Sequence, residues 1–140
     1  MKYDEDLYQW TIEQGRALRD RATNALDYDH LAEEIESLGR SDKREIASRL
    51  ENLLVHLLKW RCQPEWRSPS LEASIDEARR RIERILRDSP SLRSYPGEVL
   101  DEAYGFAIRN KAIRALELIH LPEACPWSIE EVLDKEFLPK

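Results

Sequence analysis

The sequence predicts an all-α protein, an up-and-down bundle of four main helices with short extra helices at 90–96 and 129–135. Three observations predict it. Apolar residues recur at spacings of three and four in long runs, the period of one helix face. Ser, Asp and Pro stand where helices begin, and Gly or Pro where they end. No stretch alternates polar and apolar residues with the β-branched enrichment of a strand.

The strongest run is Ser41 to Arg61. Ile46, Leu50, Leu53, Leu54, Leu57 and Trp60 fall on one face, and with Ala47 and Leu58 the apolar arc covers about 160°. A helix apolar over nearly half its circumference needs several partners, so it is predicted as the central one. Val55, opposite the arc, predicts a second covered side.

In chain order, Asp4 or Asp6 caps a first helix with Tyr3, Leu7, Trp10, Ala17 and Leu18 on its inner face, weakened at Gly15 and fraying near Thr23. Asp27 caps a short second helix whose inner face is Tyr28, Leu31, Ala32, Ile35 and Leu38. Gly39 suits a left-handed C′ position and Ser41 a new N-cap, which predicts a tight antiparallel hairpin into the central helix. That helix stops before Pro64. Ser68 or Ser70 starts another, with Leu71, Ile75, Ala78, Ile82, Ile85 and Leu86 aligned. Ser89-Pro90 opens a short turn ended by Pro96-Gly97, and Glu98 to about Leu118 forms the next helix, carrying Val99, Leu100, Ala103, Tyr104, Ala107 and Leu116. Ser128 and Glu131 form a capping box for the last helix, with Trp127 and Phe137 folding back over the core.

At 140 residues the chain suits one domain, 1–140, with 36% charged residues and no low-complexity run. The net charge of −6 argues against general affinity for nucleic acid or anionic membrane. The charge is uneven, because nine Lys/Arg and six Asp/Glu between 59 and 93 give +3 there and leave −9 elsewhere. The acidic N-terminus has no apolar signal core, and no apolar run is long enough to span a bilayer. Cys62 and Cys125 lie far apart, outside any C-x-x-C pattern, and are expected as free thiols in a cytoplasmic protein.

Chemistry is expected, if anywhere, on the edge of the central helix that carries Arg49 and His56, with Glu45, Asn52 and Lys59 along the same strip. A guanidinium matches phosphate oxygens and an imidazole titrates near neutral pH. The pair, with six residues between, resembles the arginine–histidine spacing of helical ribonucleases of the HEPN type. The competing expectation is a polar seam in which His56 hydrogen-bonds a neighbouring helix. Glu34 joins them as a third candidate. His30, Glu33 and Glu34 share the spacing of bundle metal ligands in reversed order, and the expected use of Glu34 is an ion pair with Arg49 or Arg79. Across the hairpin, Glu34 should face Glu45 and His30 should face Arg49. Arg80, Arg84 and Arg87 line one side of their helix, with Asp76, Glu77 and Glu83 four residues from Arg80, Arg81 and Arg87, which predicts a solvated, locally paired face. The loop Pro64–Arg67 offers either an exposed aromatic–cationic surface or an indole that closes the bundle. No cofactor or metal site is assigned, because phosphate loop, nucleophile elbow and zinc spacing are all missing.

Six stretches resemble the bacterial domain-of-unknown-function family 29: YDEDLYQW, HLAEEIESLGRSDKRE, LLVHLLKWRCQPE, DSPSLR, the AY at 103–104, and LPEACPW. They span nearly the whole chain. The departure is SPSLEASIDEARR after Arg67, which lacks the tryptophan associated with that helix start. The resemblance implies a helical single-domain bacterial protein and transfers no functional residue. The leading expectation is a non-catalytic cytoplasmic protein acting through protein–protein contacts, as a homodimer or with a protein partner. The alternative is an RNA- or phosphate-acting domain using Arg49 and His56.

Overall fold

Asp6 opens the first helix: its carboxylate accepts the Gln9 N–H at 3.0 Å, satisfying one free donor of α1, Leu7–Arg19. The computed structural model that shows this describes residues 2–110, 113 and 121–140. The chain divides into two compact units, Met1–Ser41 and Asp42–Lys140.

In the first unit α1 ends in a reverse turn. Arg21 is left-handed, with φ 55°. The Ala22 N–H donates to the Ala17 carbonyl at 2.9 Å, and the Arg21 N–H to that of Leu18 at 3.2 Å. This closure usually employs glycine. A 3-10 turn at Thr23–Ala25 leads to α2 at Tyr28. The inner face of α1 is Trp10, Gln14 and Ala17, whereas Leu7 and Leu18, expected there, are about half exposed. Gln14 takes the inner place because the connection has polar backbone to satisfy. Its side-chain carbonyl accepts the Asp27 N–H at 2.8 Å and its amide donates to the Ala25 carbonyl at 3.1 Å.

Helix α2 runs unbroken from Tyr28 to Cys62, 35 residues. The hairpin expected at Gly39–Ser41 does not form. No glycine has positive φ, and Gly39 is an ordinary helical residue. Its penalty of about 1 kcal/mol is local, while Glu36, Leu38, Arg40, Lys43 and Arg44 around it favour helix, and each added residue brings a hydrogen bond. Two consequences follow. Glu34 and Arg49 lie about four turns apart on one helix, so the facings expected across a hairpin are lost. Tyr28, Ile35 and Leu38, expected to pack, stand 61%, 67% and 70% exposed.

In the second unit the later part of α2 supplies the predicted face. Ile46, Leu50, Leu53, Leu54, Leu57 and Leu58 are fully buried, and Val55 is buried on the other side. After Cys62 a 3-10 turn spans Pro64–Trp66. Ser68 accepts the Leu71 N–H at 3.1 Å and caps α3, Pro69–Asp88, whose Ile75, Ala78, Ile82 and Leu86 join the core. A 3-10 turn at Pro90–Leu92 precedes α4, Tyr95–Arg109. Pro96-Gly97, expected to end a short helix, instead lies in the first turn of α4, where the missing proline N–H has no partner to lose. The expected continuation toward Leu116 and Leu118 falls outside the described residues. The capping box holds: the Ser128 N–H donates to the Glu131 carboxylate, and the Glu131 N–H to the Ser128 hydroxyl, each at 3.1 Å. It starts α5, Ile129–Leu133. Trp127 is buried and meets Phe137 edge-on. The fold is therefore the all-α bundle the sequence predicts, with four long helices, one short one and no strand among the described residues.

Candidate functional site

Arg49, Asn52 and His56 sit at i, i+3 and i+7 on α2, which puts them on one helical edge. Ser74, Glu77 and Ala78 of α3 complete a cavity of about 130 Å³ in the second unit. His56 is half-buried, and its Nδ1 is enclosed with no hydrogen-bond partner among the described residues. Burial holds its pKa below the ordinary 6.5, and Lys59 pushes the same way, so the ring is neutral at pH 7. Arg49 Nε lies 3.8 Å from Glu45, a long contact. Glu77 is engaged: its Oε1 accepts two N–H groups of Arg81, at 3.3 and 3.2 Å. The Ser74 hydroxyl donates to the Ser70 carbonyl at 3.2 Å.

Glu34 is not part of this cavity. It accepts the hydroxyl of Tyr3 in the first unit, so neither Arg49 nor Arg79 is its partner. Around it sits a cluster the sequence showed only as separate pieces. The Tyr3 ring stacks on His30 with centroids 3.8 Å apart, and Trp10 meets Tyr3 edge-on at 4.9 Å. Asp27 Oδ2 accepts the Trp10 indole N–H at 3.0 Å and lies 2.7 Å from His30 Nδ1. Hydrogen bonding to Asp27, chiefly, raises the His30 pKa above its usual value, and the same bond lowers that of Asp27. The bond to Glu34 pushes the Tyr3 phenol up to about 12. His30 and Glu34 are thus committed to protein partners, and among the described residues no three His, Cys, Asp or Glu side chains converge as metal ligands. Asp27, read from sequence as a cap alone, is the residue that holds the cluster together. The signal for it was an acid three residues before a histidine.

Arg79 was expected in an ion pair. It is 4% exposed, and its Nε donates to the Val132 carbonyl at 2.8 Å. Both terminal nitrogens are buried with no partner among the described residues. It lines a cleft of about 740 Å³ with Glu72, Asp76, Arg80, Leu133 and Lys135. Of the pairings expected on α3, Glu77–Arg81 forms, while Glu83 turns to Arg93 at 3.2 Å. Trp66 is 69% exposed, so it does not close the core. Arg67 instead covers Trp60, donating from Nε to the Trp60 carbonyl at 2.7 Å. Cys62 and Cys125 are free thiols.

Fold and sites define an all-α protein whose polar groups are gathered into a hydrogen-bonded aromatic cluster and a small arginine–histidine cavity. No helix among its described residues is long and apolar enough to cross a membrane. The family model described as Domain of unknown function DUF29 matches residues 2–138, and the chain belongs to that family. No curated protein and no solved structure matches it.

Proposed function

We propose that this is a non-catalytic protein that acts through protein–protein contacts, with the first half of α2 as its docking face and a second copy of the chain as its partner. The observation that carries the reading is the exposed stripe of Tyr28, Ile35 and Leu38, with half-buried Leu31 among them. Their spacings of three, four and three make a seam of the kind that helices use to pair. Of the nine large hydrophobic residues that stand exposed among the described residues, seven fall before residue 42: Leu7, Tyr8, Ile12, Leu18, Tyr28, Ile35 and Leu38. A unit of this size buries too little apolar surface to leave so much of it in water.

Size complementarity favours a second copy. Along α2 the acidic Asp29, Glu33, Glu34 and Glu36 precede the mixed run Arg40, Asp42, Lys43, Arg44 and Glu45. An antiparallel copy centred on Ile35 sets Asp27 opposite Lys43, against which stands Glu34 opposite Glu36. The same register places Leu31 opposite Gly39 and Leu38 opposite Ala32, large against small. A Cβ at Gly39 would meet nothing within 4 Å, so that space is open to a partner. In a reducing compartment Cys62 and Cys125 stay thiols, and we place the protein in the bacterial cytoplasm.

The register is tested by cross-linking. In a background with both native cysteines replaced by serine, Ile35→Cys should form an intermolecular disulfide under mild oxidation, because residue 35 meets itself on the dyad. Tyr28→Cys, opposite Asp42, should not. Equal cross-linking of both, or of neither, contradicts the register.

A further inference from the structure

We infer that the cavity between α2 and α3 binds a small tetrahedral oxoanion, either inorganic phosphate or the terminal phosphoryl group of a larger molecule, through Arg49, Asn52, Ser74 and His56. The inference stands apart from self-association, which uses a different part of the chain.

Size sets the ligand class. A volume of about 130 Å³ is the share of roughly four waters at ~30 Å³ each. Four oxygens around one centre can replace those waters. Chemistry sets the charge. Arg49 presents a guanidinium to the cavity, and its contact to Glu45 is a long one, 3.8 Å from Nε. Asn52 offers an amide N–H, and the Ser74 hydroxyl can turn from the Ser70 carbonyl, which it holds at 3.2 Å. The negative group on the wall, Glu77, is already matched by Arg81 through two hydrogen bonds.

His56 supplies the second, independent observation. The ring lines the cavity, and its Nδ1 is out of reach of water with no partner among the described residues, so Nε2 is the ring nitrogen left to meet an anion there. The charged groups that share the cavity with the ring are Arg49 on α2 and Glu77 on α3, and Lys59 on α2 acts on its charge. The nearest influences on its charge are burial and Lys59, both of which favour the neutral ring. An anion within ~4–6 Å reverses that balance and raises the histidine pKa by about 1–3 units. Binding is therefore coupled to protonation of His56.

The experiment follows the His56 ring proton by NMR across a pH titration of the intact chain, with chloride, inorganic phosphate, or a short oligoribonucleotide with and without a 5′-phosphate, all at matched ionic strength. The expected result is a His56 pKa higher by at least about one unit in phosphate than in chloride, with the rise lost in Arg49→Gln and in Ser74→Ala. A rise with the 5′-phosphorylated oligonucleotide alone, and not with its dephosphorylated form, assigns the site to a terminal phosphoryl group. Two variants guard against misfolding, and the other two histidine resonances report the fold of each. A His56 pKa that is the same in chloride, phosphate and both oligonucleotides overturns the inference, as does an equal rise in the folded Arg49→Gln protein.

Discussion

Tyr3 and His30 stack ring on ring, 3.8 Å between centroids and 16° from parallel, while each ring's polar partner lies at its edge, Glu34 for the phenol and Asp27 for the imidazole. The N-terminal segment is tied to the start of α2 by that stack and by two hydrogen bonds to carboxylates, from Tyr3 to Glu34 and from Trp10 to Asp27. A protonated His30 under an aromatic face adds a cation–π attraction to that tie.

The pairing makes the first unit sensitive to pH. The His30 pKa is raised from 6.5, so its contribution is complete below about 6.5 and is lost as pH rises through the higher folded value. The Asp27 pKa is lowered from 3.8, so its contribution is present above about 3.8 and is lost as pH falls through the lower folded value. Amide hydrogen exchange of residues 1–41, corrected for intrinsic rates, should be slowest between those two values and faster at pH 8. His30→Gln should flatten the alkaline half of that profile. An unchanged profile in the variant contradicts the role given to the pair.

Arg21 closes α1 in a left-handed conformation that glycine adopts without strain. Arg21→Gly should stabilise the first unit by about 1 kcal/mol, read as slower exchange across α1. A loss of stability would mean that the arginine side chain holds the turn by a contact stronger than the strain.

Arg79 is buried with one hydrogen bond to Val132 and two nitrogens unmatched among the described residues. Arg79→Met keeps the packing of the stem and removes the orphaned charge, so its urea midpoint should correspond to a change within about 1 kcal/mol of the parent. Arg79→Ala opens a void beneath α5 and should cost about 3 kcal/mol. Equal losses from both substitutions would show that the guanidinium itself is the stabilising group.

These expectations rest on packing that sequence displayed well in one place and poorly in another. The face from Ile46 to Trp60 was legible because six aligned apolar residues admit one solution, a core on that side. The seam Tyr28–Leu38 was equally legible as an apolar face, but nothing in the pattern says whether the chain or a partner covers it. Gly39 and Ser41 misled for a physical reason. They are good terminators where a helix must turn, and tolerable interior residues where strong helix formers flank them. Straightening α2 then separated Glu34 from Arg49 and left Arg49 and His56 with α3. Their joint edge was legible from a seven-residue spacing; its partners Ser74 and Glu77 were not, since helix-to-helix register depends on side chains from both elements. Gln14 and Arg79 were missed as buried residues because polar types are usually outside; Gln14 is inside to satisfy the backbone of a connection, and Arg79 to satisfy the Val132 carbonyl in α5.

Gly39 separates helix stability from self-association. Gly39→Ala should strengthen α2 by about 1 kcal/mol, visible as higher helicity on heating. In the proposed register it also places a methyl group against Leu31 of the second copy, so the dimer should dissociate at higher protein concentration. Tighter association in the variant would require a different register.

The most direct measurement is sedimentation equilibrium of the parent chain and of Ile35→Glu over a range from micromolar to millimolar. The account predicts a concentration-dependent dimer for the parent and a folded monomer for the variant, because the substitution sets two carboxylates against each other on the dyad. A parent chain that remains monomeric throughout, or a variant that dimerises as well as the parent, contradicts it.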